Sequence, residues 1–127
     1  MKLKYTILYV ESVSATLDFY EKAFGFKTRF IHEAGDYGEL DTGDTTLSFS
    51  SLKLMQDLGK NPQKASASSP VFEIAFETTD VSKWLNQATQ CGATLVQDIK
   101  VEPWGQTTSY VSDINGFLVE ICSPVGQ

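Results

Sequence analysis

Cysteine is scarce in this chain, two among 127 residues. Cys91 and Cys122 form no metal-type C-x-x-C pair and are too few for a disulfide framework, so free buried thiols are expected. Histidine is scarcer still: His32 is the single imidazole. Basic residues are outnumbered, with 10 Lys and Arg against 16 Asp and Glu and a net charge of −6. That balance argues against general nucleic-acid binding, which needs a basic face. It allows a cationic ligand and equally serves solubility. No apolar run approaches the roughly 18 to 20 residues that span a bilayer. Met1-Lys2-Leu3-Lys4-Tyr5 has a basic start but neither the continuous apolar core nor the small-residue cleavage site of a signal peptide. No membrane partner is expected, and the cytoplasm is the default location. No Gly-rich loop precedes a helix in a phosphate-binding pattern, and no nucleophile-base arrangement is visible.

What is present reads as a folded domain. Hydrophobic residues make up 42% and charged residues 20%, the balance of a globular chain. The length suits one ordinary domain that buries roughly two-thirds of its unfolded surface. Lys2 to Val10 alternates, Thr6, Leu8 and Val10 against Tyr5, Ile7 and Tyr9, which predicts a strand. The period then changes. Leu17, Phe19, Tyr20, Ala23 and Phe24 recur at helical spacing behind Ser14 as candidate cap, and Gly25 ends the helix. Strands are expected over Phe26–Ile31, Tyr37–Asp41 and Thr45–Ser51.

Lys53 to Pro70 breaks this pattern. Leu54, Met55 and Leu58 suit one helical turn. Gly59 to Pro62 and the Ala/Ser run before Pro70 suit a mobile linker, either a junction between units or a flap beside a site. The first half then begins again. Phe72–Thr78 predicts a strand, Val81–Cys91 a helix capped by Asp80 and stopped by Gly92, and Thr94–Val101, Thr107–Ser112 and Phe117–Cys122 three more strands. The last two join through Asp113-Ile114-Asn115-Gly116 as a hairpin. Tyr5 aligns with Glu73 and Val13 with Val81 at one constant offset; Gly25 aligns with Gly92 after a slip of a single position. The expected fold class is therefore α+β: two βαβββ modules that form a curved mixed sheet around a cleft, with helices on the outer face. Module one covers about residues 1–52, the linker 53–70 and module two 71–127 of a single domain. Alternation puts Leu8, Val10, Phe76, Val119 and Ile121 under the helices and turns Tyr5, Tyr9, Ser48, Glu73 and Glu120 toward the cleft.

Two stretches carry a family resemblance. Leu17-Asp18-Phe19-Tyr20-Glu21-Lys22-Ala23-Phe24-Gly25-Phe26 resembles the first-helix signature of the glyoxalase, bleomycin-resistance and dioxygenase superfamily, also called the vicinal oxygen chelate superfamily. Glu102-Pro103-Trp104-Gly105-Gln106 and Tyr110 to Ile121 are similar to its last hairpin. The resemblance implies the fold but no single function, because the family spans isomerases, lyases, dioxygenases, thiol transferases and drug-sequestering proteins. It also implies a homodimer in which half-barrels complete each other's pockets, within one chain or between chains.

Catalytic members of that family hold a divalent metal on four inward strand positions, usually His, Glu or Gln. Here those positions fall on Tyr5, near Ser48, on Glu73 and on Glu120. Two carboxylates stand where ligands are usual and two neutral hydroxyls replace the others, a poor set for such metals. His32 lies off these positions and is expected at the surface. No cofactor is therefore expected; the alternative is one divalent metal ion on Glu73 and Glu120.

The remaining candidates have two readings each. Glu73 sits in an otherwise apolar strand, either solvated at a cavity mouth or paired with Glu120 as a ligand contact or acid and base. Trp104 either caps the core or stacks on a planar ligand. Tyr5, Tyr9, Tyr37 and Tyr110 supply further aromatic wall. Glu39 and Asp41 face inward by alternation from Tyr37, and an exposed edge explains them equally well. The function expected is a metal-independent small-molecule binding protein of the bleomycin-resistance type, with ligand contacts at Tyr5, Tyr9, Ser48, Glu73, Trp104, Tyr110 and Glu120. It would favour a planar cation over an anion of the same size. The rival is an enzyme, a metal-dependent lyase, isomerase or dioxygenase using Glu73 and Glu120, and metal analysis of untagged protein separates the two.

Overall fold

The computed structural model describes residues 1–126. Gln127, the last residue of the expected second module, lies outside them. The chain divides into two compact units, one of residues 1–64 and one from Ala65 onward.

The first unit runs β1 (Tyr5–Val10), α1 (Val13–Phe24), β2 (Lys27–Ile31), β3 (Tyr37–Asp41), β4 (Thr46–Ser51) and α2 (Leu52–Asp57). Its sheet has the order β1-β4-β3-β2. β1 lies parallel to β4, with Leu8 opposite Phe49, and the other pairs are antiparallel. α1 starts earlier than the alternation suggested. Ser12, not Ser14, is its cap: the Ser12 hydroxyl accepts from the Ala15 amide at 3.2 Å, and its carbonyl takes both the amide and the hydroxyl of Thr16. Starting there turns Val13 inward, where it is 1% exposed. The helix buries Val13, Leu17, Phe19, Tyr20 and Ala23 against Leu8, Val10, Leu40, Leu47 and Phe49, and the Tyr20 ring lies 5.1 Å from that of Phe49. Its approach to β3 is close. A Cβ at Gly38 would stand 2.7 Å from Leu17 Cδ1, so a side chain there would require the Leu17 side chain to shift. The segment expected to be linker begins with a real helix, α2, capped by Ser51, with Met55 buried.

The second unit repeats the plan: β5 (Glu73–Glu77), α3 (Val81–Gln90), β6 (Thr94–Val101), β7 (Thr107–Ser112) and β8 (Leu118–Cys122). The sheet order is β5-β8-β7-β6, with β5 parallel to β8. Asp80 caps α3 by accepting from the Lys83 amide, as the sequence predicted. Val119 and Ile121 are buried under α3 together with Val81, Leu85 and Ala88. At the β7–β8 hairpin Asp113 Oδ1 accepts from the amides of Asn115 and Phe117. Gly116 follows with φ +95°, and a Cβ there would stand 2.5 Å from the Ala65 carbonyl oxygen. That position excludes any side chain twice over, by φ and by space.

Phe76 departs from expectation. It shares the helix side of the sheet with Ile121 but is half-buried. β5 is an edge strand, and α3 buries only Val81, Leu85 and Ala88, where α1 offers Phe19, Tyr20 and Leu17 to the equivalent strand. The two halves therefore differ in core quality. Leu8→Ala is expected to cost about 2 to 5 kcal/mol in denaturant unfolding, and Phe76→Ala less than Leu8→Ala. The reverse order would mean that the strand faces are assigned the wrong way round.

Candidate functional site

In each sheet the face away from the helix carries the polar residues. The inner strands fix this. Val119 and Ile121 on β8 point to α3, so Leu118, Glu120 and Cys122 point to the other side. Across the register Glu120 stands between Ala75 on β5 and Tyr110 on β7. The Tyr110 hydroxyl donates to Glu120 Oε2 at 2.7 Å. Glu73 lies on the same face, close enough for its charge to act on the same hydroxyl. Glu73, Tyr110 and Glu120, three of the expected site residues, thus form one cluster: a phenol between two carboxylates. Burial, then the hydrogen bond and charge of Glu120, then Glu73, hold the Tyr110 phenol well above its ordinary pKa, so it stays a neutral donor.

Contacts continue along this face. The Cys122 thiol lies next to Glu120 and is pushed up by burial first and by that carboxylate second, which makes it a poor nucleophile. Gln106 reaches Cys122, donates to the Ser123 carbonyl at 2.9 Å and accepts from the Trp104 indole N–H at 2.8 Å. Trp104 is 60% exposed. It caps no core: its ring is held out in solvent by Gln106. Glu102 accepts from Thr108 at 3.1 Å and pairs with Lys100 at 3.5 Å.

The first unit carries a different set. Thr46, Ser48 and Ser50 on β4 are buried on the face shared with Tyr5, Ile7 and Tyr9. Tyr5 is 45% exposed and Tyr9 is half-buried. Ser48 does not stand free for a ligand, because its hydroxyl reaches the Thr6 carbonyl at 3.5 Å and the Tyr37 hydroxyl. Tyr37 donates to Glu39 Oε2 at 2.8 Å, and burial raises its pKa, with Ser48 acting against and Glu39 adding to the rise. Glu39 Oε1 also takes Arg29 Nε at 3.4 Å, and Arg29 Nη2 donates to Thr46 Oγ1. Alternation along β2 missed Arg29. β2 shifts register against β3 between Thr28 and Phe30, with Phe30 opposite Glu39. The extra residue of this bulge is Arg29, which is swung onto the same face as Phe30. Glu39 was legible as inward; its partners were not. His32 sits in an exposed turn beside Asp36 at 3.5 Å, away from both clusters.

The usual metal of this fold finds no fitting donor set here. Among the described residues no three His, Cys, Asp or Glu side chains are grouped to hold an ion. Tyr5 and Ser48 offer neutral hydroxyls, and Glu120 already accepts a hydrogen bond from the Tyr110 hydroxyl.

Residues 3–126 match the model of the glyoxalase-like domain. The chain belongs to that family. In structure it is similar to a glyoxalase-related enzyme from Fulvimarina pelagi, with a TM-score of 0.85 and 19% identity over 98% of this chain and 88% of that one. It is also similar to a glyoxalase/bleomycin resistance protein/dioxygenase family enzyme from Burkholderia phytofirmans PsJN, with a TM-score of 0.81 and 19% identity over 97% and 98% of the two chains. TioX from Micromonospora sp. ML1 matches with a TM-score of 0.73 and 21% identity, over 97% and 98%. No match is found among the curated proteins. At such identities the likeness shows the fold, the two βαβββ modules expected from the sequence.

The Tyr110 phenol gives a pH test. The unfolded chain releases a tyrosine proton near pH 10, whereas the folded chain holds that of Tyr110 higher. The resulting stability is present below about pH 10 and is lost as pH rises through the folded value. Denaturant unfolding from about pH 9 upward is expected to show a steeper fall for the wild type than for Tyr110→Phe. Equal slopes would contradict the Tyr110–Glu120–Glu73 cluster.

Proposed function

We propose that this protein binds a small planar cation without a metal, on the sheet face of its second unit. The observation that carries this reading is the Tyr110 hydroxyl donating to Glu120, with Glu73 on the same sheet face. Two carboxylates on one face give a local negative potential, and the neutral phenol fixes one of them in place. The exposed Trp104 ring, anchored by Gln106 on the same strand system, offers a flat surface for a conjugated ring. Cys122 is too shielded to serve as a nucleophile, and among the described residues no donor set for a divalent ion accompanies the carboxylates. Sequestration or carriage of a ligand accounts for the residues better than turnover does.

The test is calorimetric titration with benzamidine, a planar amidinium, against benzamide, its neutral isostere. Benzamidine is expected to bind about tenfold or more tightly. The preference should fall in Glu120→Gln and in Glu73→Gln, and weaken as salt rises. Equal affinities, or no change in either variant, would remove the reading.

We further propose a homodimer, as in the family resemblance, and a cytoplasmic setting. The edge strands favour the dimer: Phe30 and Ile31 on β2 and Leu95, Val96, Ile99 and Val101 on β6 are all exposed, more edge apolar surface than solvated strands usually leave bare. Both cysteines are free, which suits a reducing compartment. Light scattering on the full chain should give a dimer mass; a monomer at micromolar concentration would overturn the assembly.

A further inference from the structure

The turn Asp113-Ile114-Asn115-Gly116 plays no part in the ligand reading above and carries chemistry of its own. The chain has three asparagines, Asn61, Asn86 and Asn115, and only Asn115 precedes a glycine. A following glycine lets an asparagine cyclise, because no Cβ obstructs the approach of its nitrogen to the asparagine side chain. Asn61 precedes Pro62, whose nitrogen has no proton to lose, and Asn86 lies inside α3, where helical geometry holds the backbone. The turn itself is tightly bound. Asp113 is 4% exposed. Its amide donates to the Phe117 carbonyl at 2.9 Å and its carbonyl accepts from the Gly116 amide at 3.2 Å. Its Oδ1 accepts from the amides of Asn115 and Phe117, each at 2.8 Å. The Gly116 nitrogen thus keeps its proton in a hydrogen bond. The Ala65 carbonyl abuts Gly116 and leaves room there for a hydrogen and nothing larger.

We infer that Asn115-Gly116 is a site of spontaneous modification, shut while the hairpin is closed and made irreversible by the packing of Ala65. In the open turn the Gly116 nitrogen loses its proton and attacks Asn115 Cγ. The N–Cγ bond forms, the Cγ–Nδ2 bond breaks, and the amide group leaves as ammonia with that proton. Water then opens the cyclic imide. Opening at Cγ leaves aspartate at position 115 with the ordinary main chain. Opening at the main-chain carbonyl leaves isoaspartate, which routes the main chain through Cβ and lengthens it by a methylene. The closed turn has no slack for this, because the bonds between Asp113 and Phe117 span it and the Ala65 carbonyl abuts Gly116. A chain carrying isoaspartate does not reclose the hairpin, so a transient local opening becomes a permanent one. The β7–β8 register runs from Ser112 and Leu118 at the turn to Tyr110 and Glu120, so loss of the turn frays the strands toward that pair. The site is independent of the proposed ligand.

The full chain is incubated in native buffer and in unfolding urea, and position 115 is scored as asparagine, aspartate or isoaspartate by peptide mass spectrometry. Conversion in the folded chain should be slower than in urea by about tenfold or more, because it samples only the open fraction. Asp113→Ala should accelerate conversion in native buffer, and Asp113→Asn, which keeps the oxygen acceptor, should not. Asp113 is buried and its loss risks the fold, so the wild type in urea below its unfolding transition is the second arm. There, hydrogen exchange of the Phe117 amide and conversion at position 115 should rise together. The isoaspartate form, isolated and returned to native buffer, should lack protection of the Phe117 amide. Asn115→Asp, with the same charge and an ordinary main chain, should keep that protection. Equal conversion rates in folded and unfolded chains, exchange and conversion that do not rise together, or full Phe117 protection in the isoaspartate form would overturn the site.

Discussion

Each sheet is organised by an inner strand that has a neighbour on both sides and a helix on one face. β4 between β1 and β3, and β8 between β5 and β7, have their backbone groups fully engaged. Their side chains then have two destinations only. Leu47 and Phe49, or Val119 and Ile121, go to the helix. Thr46, Ser48 and Ser50, or Leu118, Glu120 and Cys122, go to the other face. A slip of a single residue would bury Glu120 under α3 and expose Ile121, so the apolar packing that stabilises the fold also sets the position of the polar residues. The parallel pairs β1–β4 and β5–β8 carry the constraint to the edge strands and bring Glu73 to the face of Glu120.

Most of this was legible in the sequence because it depends on period alone. The strand over Thr94–Val101 and that over Thr107–Ser112 have the bounds that alternation gave them. Glu73, Tyr110 and Glu120 were assignable to one face without any contact being known. What escaped was set by irregularity. The register shift at Thr28/Phe30 places Arg29 where strict alternation would not, and with it the network of Glu39, Tyr37, Ser48 and Thr46. Two serines preceded α1; packing of Val13 decided for Ser12. Phe76 has the right period but meets a helix with small buried residues on an edge strand, so it stays half-exposed. Period assigns a face and says nothing of how well that face is covered.

One plan used twice has produced two faces of different chemistry. The position that is Tyr5 in one half is Glu73 in the other, and Ser48 corresponds to Glu120. In the second half the carboxylates dominate and a phenol is held neutral between two of them. In the first, the Glu39 carboxylate is shared between the Tyr37 phenol and the Arg29 guanidinium. Of the two positions that depart from the family's metal ligands, Ser48 is engaged with the Thr6 carbonyl and Tyr37, and among the described residues no three His, Cys, Asp or Glu side chains are grouped to hold an ion.

Chemical-shift mapping on the isotopically labelled full chain tests this assignment most directly. Benzamidine should perturb the amides of β5, β7 and β8 around Glu73, Tyr110 and Glu120, and benzamide should perturb them far less. Equal perturbation by both compounds, or shifts confined to the helices, would contradict it.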